Sequence, residues 1–427
     1  MNVSVETVVV GAGPAGLGVA VGLAARGREA LVVDRARFPR DKICGDFMGP
    51  GAAAALGRLG LLADLPAGVA RPLSGMRLTA ARAPGTVVVG RYDAARQGLA
   101  ARRRDLDAAL LVASRARGVR VLEGVRVLDL LRDRRGAAAG VLAEGPGREP
   151  LEIRARLVVG ADGRHSVVAR RLGLARPAPP GFRRFAVRAF FADPLAGASQ
   201  APAFGEMHLG EGGLYGGLSA LPGGLASVCL VTDHARLPRG REALASWYDA
   251  QVAAFPALAR RLAGGRRVSG VEALGPLAVG AAGVVADGAL LVGDAAGFFD
   301  PLTGEGMLTA LRGAELAVEA ADRALEAGDV RAAALGGYVR ARRAEFAPRL
   351  RLDRALQMVV PRPALAAWLA RCLASRPPAA DRLVRLSGGD LPVRTALGGA
   401  VLVGLAGVLP AEGRAADRTP TRIDVET

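Results

Sequence analysis

The run GAGPAG at residues 11–16 places glycines at 11, 13 and 16, directly after an apolar β-branched stretch (3–10) and at the start of an apolar helix pattern (14–25). A strand that breaks into such a turn and then into a helix is suited to holding a diphosphate. Gly11 allows the tight turn, Gly13 lets backbone approach the phosphates, and Gly16 lets the helix lie close to the strand. The helix N-terminus then offers free N–H groups and the positive end of its dipole to the anion. A second apolar stretch (29–33) ends at Asp34. A carboxylate about twenty residues past such a turn accepts hydrogen bonds from the hydroxyls of an adenosine ribose and repels a 2′-phosphate. The pattern predicts a bound dinucleotide other than NADP.

Two later turns distinguish FAD from NAD. In GDAAGFFDPLTGEG (293–306), Asp294 stands at a strand end where it can hold ribitol hydroxyls, and a Gly-rich turn opens another helix at Gly306. That helix N-terminus can face the pyrimidine edge of a flavin, where negative charge develops on reduction. A nicotinamide cofactor has no use for this second site. GADGRHS (160–166) supplies a further Asp-Gly turn at Asp162.

Together, GAGPAG with Asp34, GADGRHSVVAR (160–170) and GDAAGFFDPLTGEGM (293–307) resemble the superfamily of flavin aromatic hydroxylases. PRDKICGD (39–46) and PLTGEG (301–306) resemble its geranylgeranyl reductase-like branch. The resemblance covers residues 3–345. It implies an extended, non-covalent FAD with Gly11, Gly13, Ala15, Gly16, Asp34 and Arg35 on the ADP half. Arg40 and Arg103 would reach the pyrophosphate or ribose, while Gly293, Asp294, Pro301, Gly304, Gly306 and Met307 serve the ribitol and flavin. Asp162 matches a turn similar to a combined FAD and nicotinamide contact, and Cys44 falls near the flavin. NAD(P)H is the reductant that the family implies. The chain departs from the branch at YGGLSALP (215–222), where an aromatic YxWxFP-type strand is expected, so the pocket is wider or differently filled. The Trp-rich signature of flavin halogenases is absent, which disfavours halogenation.

The chemistry itself belongs mainly to the flavin, with the protein supplying position, dryness and electrostatics. Cys44 is a candidate to touch substrate, set against a small buried thiol. His208, in GEMHLGEGG, is the acid/base candidate by position, against a lone histidine with no visible partner. Lys42 and Arg40 can stabilise phosphate or reduced flavin, and His165 reads as a turn residue. Phe190, Tyr215, Phe298 and Phe299 are candidates to line an apolar cavity, the 298–299 pair foremost. No His/Cys/carboxylate group has metal spacing, so no metal is expected.

Positioning these residues calls for an α/β fold, a Rossmann-type FAD-binding domain interrupted by a β-rich substrate domain and followed by helices. The cofactor domain is assigned to 1–75, 100–175 and 273–345, the substrate domain to 76–99 and 176–272, and a helical region to 346–410. Extended sequence at 76–90, a charged helix at 103–117 and a strand at 119–130 read as a second crossover, and a helix is expected from 306 to 325. After Pro348 come Arg-studded helices broken by prolines, then fourteen uncharged residues (396–409), too few for the roughly 20 that span a bilayer. These read as a tunnel wall, an interfacial helix or a core helix, and the polar stretch from 411 as a disordered tail.

The chain carries 57 Lys and Arg against 40 Asp and Glu, for a net charge of +17. Lys42 is the sole lysine, and with 4% aromatic residues and no basic block the charge gives no nucleic-acid footprint. Diffuse positive charge beside an apolar segment does suit peripheral attachment to an anionic bilayer. Three widely spaced cysteines and no secretory signal point to the cytoplasm. The reading is an FAD-dependent oxidoreductase acting on a small lipophilic, polyketide- or prenyl-like substrate. It works by C=C reduction or by flavin-hydroperoxide monooxygenation. The alternative is an electron-transfer flavoprotein donating to a partner protein or membrane quinone. An enclosed cavity beside the flavin would argue against that alternative.

Overall fold

A computed structural model describes residues 2–177, 183–195 and 203–393. The expected apolar segment at 396–409 and the tail from 411 lie outside these residues.

Val8, Val9 and Val10 are buried on both faces, as in a parallel strand covered from above and below. This strand, β1 (Asn2–Val10), feeds α1 (Pro14–Ala24), which returns to β2 (Ala30–Asp34). From β2 the chain reaches α2 (Arg103–Ala116), which crosses to β3 (Arg120–Glu123). β4 (Pro150–Gly160) and β5 (Ala289–Leu291) complete a parallel sheet in the order β5-β4-β1-β2-β3. Strand order reverses beside β1, so the cleft opens above its carboxyl end.

Two details correct the sequence reading. The second crossover runs from β2 through α2 to β3, while residues 75–91 belong to another sheet. The expected strand at 119–130 is two strands, Arg120–Glu123 and Arg126–Arg132, because Gly124 turns the chain with φ +75°.

α1 is buried along ten of its eleven residues, so no single polar face identifies it. It packs closely on α3 (Gly306–Glu326). A Cβ at Gly18 would stand 3.1 Å from Ala314 Cβ, and one at Gly22 would stand 2.7 Å from Val318 Cγ2. The seam ends where Gly293 would place a Cβ 2.9 Å from that of Ala15, so the two Gly-rich loops lie against one another.

The second sheet has seven strands, ordered Glu272–Leu274, Arg184–Ala192, Leu225–Asp233, Tyr215–Leu221, Gly205–Leu209, Gly75–Ala80 and Val88–Arg91. One face packs Val187, Ala189 and Val228 against the helices Arg241–Ala254 and Pro256–Arg261. The other face receives the C-terminal helices α4 (Gly336–Val359), α5 (Pro363–Ala374) and α6 (Pro377–Ser387) around Ala80, Val88, Ala370 and Leu383. Pro348 does not end α4, which continues past it. Gly90 lets α6 cross the sheet edge, since a Cβ there would overlap Val384.

The glycines of the first turn give a paired test. Gly16→Ala drives a methyl into the Gly11 carbonyl and should cost about 1–3 kcal/mol of apoprotein stability. Gly13→Ala meets nothing nearer than Arg40 Nη2 at 3.8 Å and should leave apoprotein stability unchanged while weakening cofactor retention. Denaturant melts of both apoproteins check this, and equal destabilisation would contradict it.

Candidate active site

The first loop does what its glycines suggest. Gly11 adopts φ +107° beneath the Ala161 carbonyl, and the approach to Gly13 is open except for the Arg40 guanidinium. Asp107, buried in α2, holds Arg40 at 3.2 Å. A fixed cation thus stands over a backbone gap at a helix N-terminus, which fits a pyrophosphate. Asp34 accepts the amides of Ala12 and Ala36, both at 2.8 Å, which fixes its carboxylate at the end of β2. Arg35 beside it is exposed.

The second loop closes the cleft. Gly304 adopts φ +69° against the Phe47 ring, and Pro301, Gly304, Gly306 and Met307 line a cavity of about 300 Å³ together with Gly293 and Asp294. Lys42 reaches Asp294 at 3.9 Å from the opposite wall. Loss of water and the nearby Arg103 lower its ammonium pKa. Ala15, Cys44 and Arg103 also line this end. Arg103 is buried and makes two 2.8 Å bonds to Asp107. These residues together fit FAD, with the ADP half at Gly13 and Arg40 and the ring at the 301–307 loop.

From that polar end the cavity runs into an apolar one. Ala186, Met207, Leu209 and Tyr215 of the second sheet form its floor, and Val359, Leu369, Leu373 and Leu383 of the C-terminal helices form its roof. Phe298 lines it. Gly217 adds no ring, and a Cβ there would stand 3.7 Å from the nearest atom, the Glu206 carbonyl oxygen. Cys229 also faces the cavity, with its thiol pushed up to about 12 by burial and then by neighbouring Cys44.

Several candidates lie elsewhere. His208 sits among the strand residues that alternate away from Met207 and Leu209. Its Nδ1 pairs with Thr79 Oγ1 at 2.8 Å, its Nε2 lies 3.5 Å from Glu206, and its ring lies against Phe255 on the far face, so the structure does not bring it to the cavity wall. Phe190 packs beyond the cavity with Leu73 and Leu221, between the guanidinium groups of Arg102 and Arg188 at 4.8 and 4.5 Å. Phe299 is not part of the cavity wall and lies 5.9 Å from Arg354. Asp162 is committed to its own turn. It accepts Ser166 Oγ at 2.5 Å and Val167 N–H at 2.6 Å, and burial raises its pKa.

Two polar networks escape a sequence reading. Asp46, in left-handed conformation (φ 54°), accepts from Ser227 Oγ at 2.7 Å and from the Arg103 amide at 3.0 Å, and lies 3.7 Å from Arg188. It ties the Cys44 loop to the second sheet. Behind the 301–306 turn, Asp300 accepts the Tyr215 hydroxyl at 2.5 Å and the Leu302 amide at 2.9 Å. Thr303 donates to Asp353 at 2.7 Å, and Arg349 bridges to Glu305 at 3.1 Å. Burial, then Asp353, pushes Glu305 up to about 8, and burial pushes Asp353 up to about 6. Glu305 stands 44 residues from Arg349 and Asp300 stands 85 from Tyr215, so spacing alone gives no sign of these pairs.

Comparison with known proteins agrees with this geometry. The FAD binding domain family matches residues 4–345. The chain is 31% identical over 329 residues to a menaquinone reductase of Mycolicibacterium smegmatis, covering 75% of this chain and 76% of that one. It is 29% identical over 342 residues to a digeranylgeranylglycerophospholipid reductase of Methanothrix thermoacetophila, covering 78% and 81%. In fold it is similar to the flavin-dependent brominase Bmp2, with a TM-score of 0.79 at 18% identity over 95% of this chain and 98% of that one.

The raised carboxyls give a signed pH dependence. Glu305 and Asp353 bind protons in the folded chain up to about 8 and about 6, well above their unfolded values. The stability they contribute is complete below about pH 4 and is lost as pH rises through those folded values. Glu305→Gln mimics the neutral acid, so it should change unfolding free energy little at low pH and raise it relative to the parent at pH 9. Parallel pH curves for the two proteins would contradict this.

Proposed function

The chain belongs to the FAD binding domain family and is an FAD-dependent oxidoreductase, and from that premise we propose that it reduces a C=C bond in a prenyl-type lipid. The carrying observation is the cavity, which is polar at the cofactor loops and apolar from there to the C-terminal helices. Such a channel suits a long hydrocarbon chain whose reacting segment meets the cofactor. The names of the two relatives, a menaquinone reductase and a digeranylgeranylglycerophospholipid reductase, support the same substrate class. The roofed cavity also favours a substrate-binding enzyme over a carrier passing electrons to a docked partner.

FAD held here would, once reduced by NAD(P)H as its proposed electron source, supply hydride. The chain's own residues do the rest. Arg40 and Gly13 anchor the pyrophosphate, and Asp34 the ribose. Lys42 and the N-terminus of α3 offer positive charge to the reduced ring. The apolar walls exclude water, which protects the hydride. Alkene reduction also needs a proton, and we assign its delivery to Cys44 Sγ, which lines the cavity beside Arg103.

Purified flavoprotein should be reduced anaerobically and mixed with geranylgeranyl lipids and with menaquinone. Mass spectrometry should find a product carrying one added H₂ per C=C reduced. Cys44→Ala should lower turnover by about 10²–10⁴-fold with flavin content unchanged. An oxygenated product formed only after air is admitted would overturn the reductase reading.

A further inference from the structure

The outer surface of the cavity roof has a pattern that substrate enclosure does not require. Arg362 caps α5, Leu365, Trp368 and Arg371 follow it at three-residue steps, and all four are exposed. Leu365 is 38% exposed and Trp368 43%, and Met358, at the end of the preceding helix, is 60% exposed. Leu365, Trp368 and Arg371 thus follow one another around the outward side of α5, with Arg362 at its N-terminal cap. From 354 to 380 the chain has four arginines (354, 362, 371 and 376) and no Asp or Glu. The adjoining acids are engaged elsewhere. Glu211 pairs with Arg82, whose carbonyl accepts from Arg371 at 2.8 Å, and Asp381 accepts the Arg91 amide at 2.7 Å. The opposite side of the same helix, with Ala366, Leu369, Ala370 and Leu373, lines the cavity. Among the described residues no helix is long and apolar enough to cross a membrane.

We propose that this exposed Arg362–Arg371 segment, the cap and outward side of α5, with Met358, docks the protein on an anionic phospholipid bilayer. Trp and Leu enter the interface while the arginines pair with headgroup phosphates. The positive net charge and the absence of acids along the face favour a lipid surface over a second copy of this chain, which would set its arginines against the same arginines. Docking there lays the roof helix of the cavity on the membrane, the source of a lipid substrate. The proposal goes beyond the reductase reading and does not depend on which bond is reduced.

Full-length flavoprotein should be floated with phosphatidylcholine vesicles with and without phosphatidylglycerol, free of any substrate. Binding should need the anionic lipid and fall with salt. Leu365→Ser/Trp368→Ser should weaken it about tenfold or more. Arg362→Gln/Arg371→Gln should weaken it about fivefold per arginine. Flavin content and visible circular dichroism should stay at parent values in both. Bromine-labelled acyl chains should quench the parent's tryptophan emission but not that of Trp368→Phe, which retains Trp247. Unchanged vesicle binding in both double variants would overturn the proposal. So would a Leu365→Ser/Trp368→Ser protein that binds vesicles normally but loses self-association, since the face would then join two copies. Because the vesicles hold no substrate, failure of the reductase reading leaves these results unaffected.

Discussion

Everything in the cleft depends on how closely α1 can lie against α3. Gly18 and Gly22 leave room for Ala314 and Val318, and Gly293 leaves room for Ala15. The contact brings two helix N-termini, distant in sequence, to the carboxyl side of one parallel sheet. One would meet a diphosphate and the other the ring edge of the same FAD, and their spacing is set by this packing, with Arg28 beyond the far end of α1 bonded to Asp322 of α3 at 2.7 Å. Interiors packed to this density transmit a misfit instead of absorbing it. A bulkier side chain along the seam would therefore disturb the cofactor site without touching it.

The substrate side is fastened to this frame by buried polar contacts. Asp46 reaches Ser227 and Arg188 from the Cys44 loop, and Asp300 reaches Tyr215 from the second Gly-rich turn. Buried groups of this kind cost desolvation unless each finds partners, so they fix a single arrangement of loop against sheet more than they add stability. The apolar roof of α4, α5 and α6 then closes the remaining side. Polar at one end and oily at the other, the cavity takes its gradient from the meeting of these two kinds of wall.

How much of this is legible in the sequence depends on the range of the interaction. The βαβ unit and the 293–307 turn can be read because glycine, acid and helix start lie within a few tens of residues, and local backbone chemistry dictates them. FAD follows from those two turns together. Side-chain direction is less accessible. His208 falls on the wrong face because a strand's period of two turns adjacent residues to opposite sides, and nothing local says which side holds the cavity. Phe190 and Phe299 look like Phe298 in sequence and differ only in what packs beside them. The Asp46 and Glu305 clusters join residues whose partners are remote.

One FAD spanning both Gly-rich loops would present its ring to the polar end of the apolar cavity. A crystal structure of the protein with FAD and a prenyl-chain lipid tests this placement most directly. The pyrophosphate should lie between Gly13 and Arg40, the ring beside Gly304 and Gly306, and the hydrocarbon chain under Leu369 and Leu373. A lipid found outside that roofed space, or a ring turned away from the 301–307 loop, would contradict it.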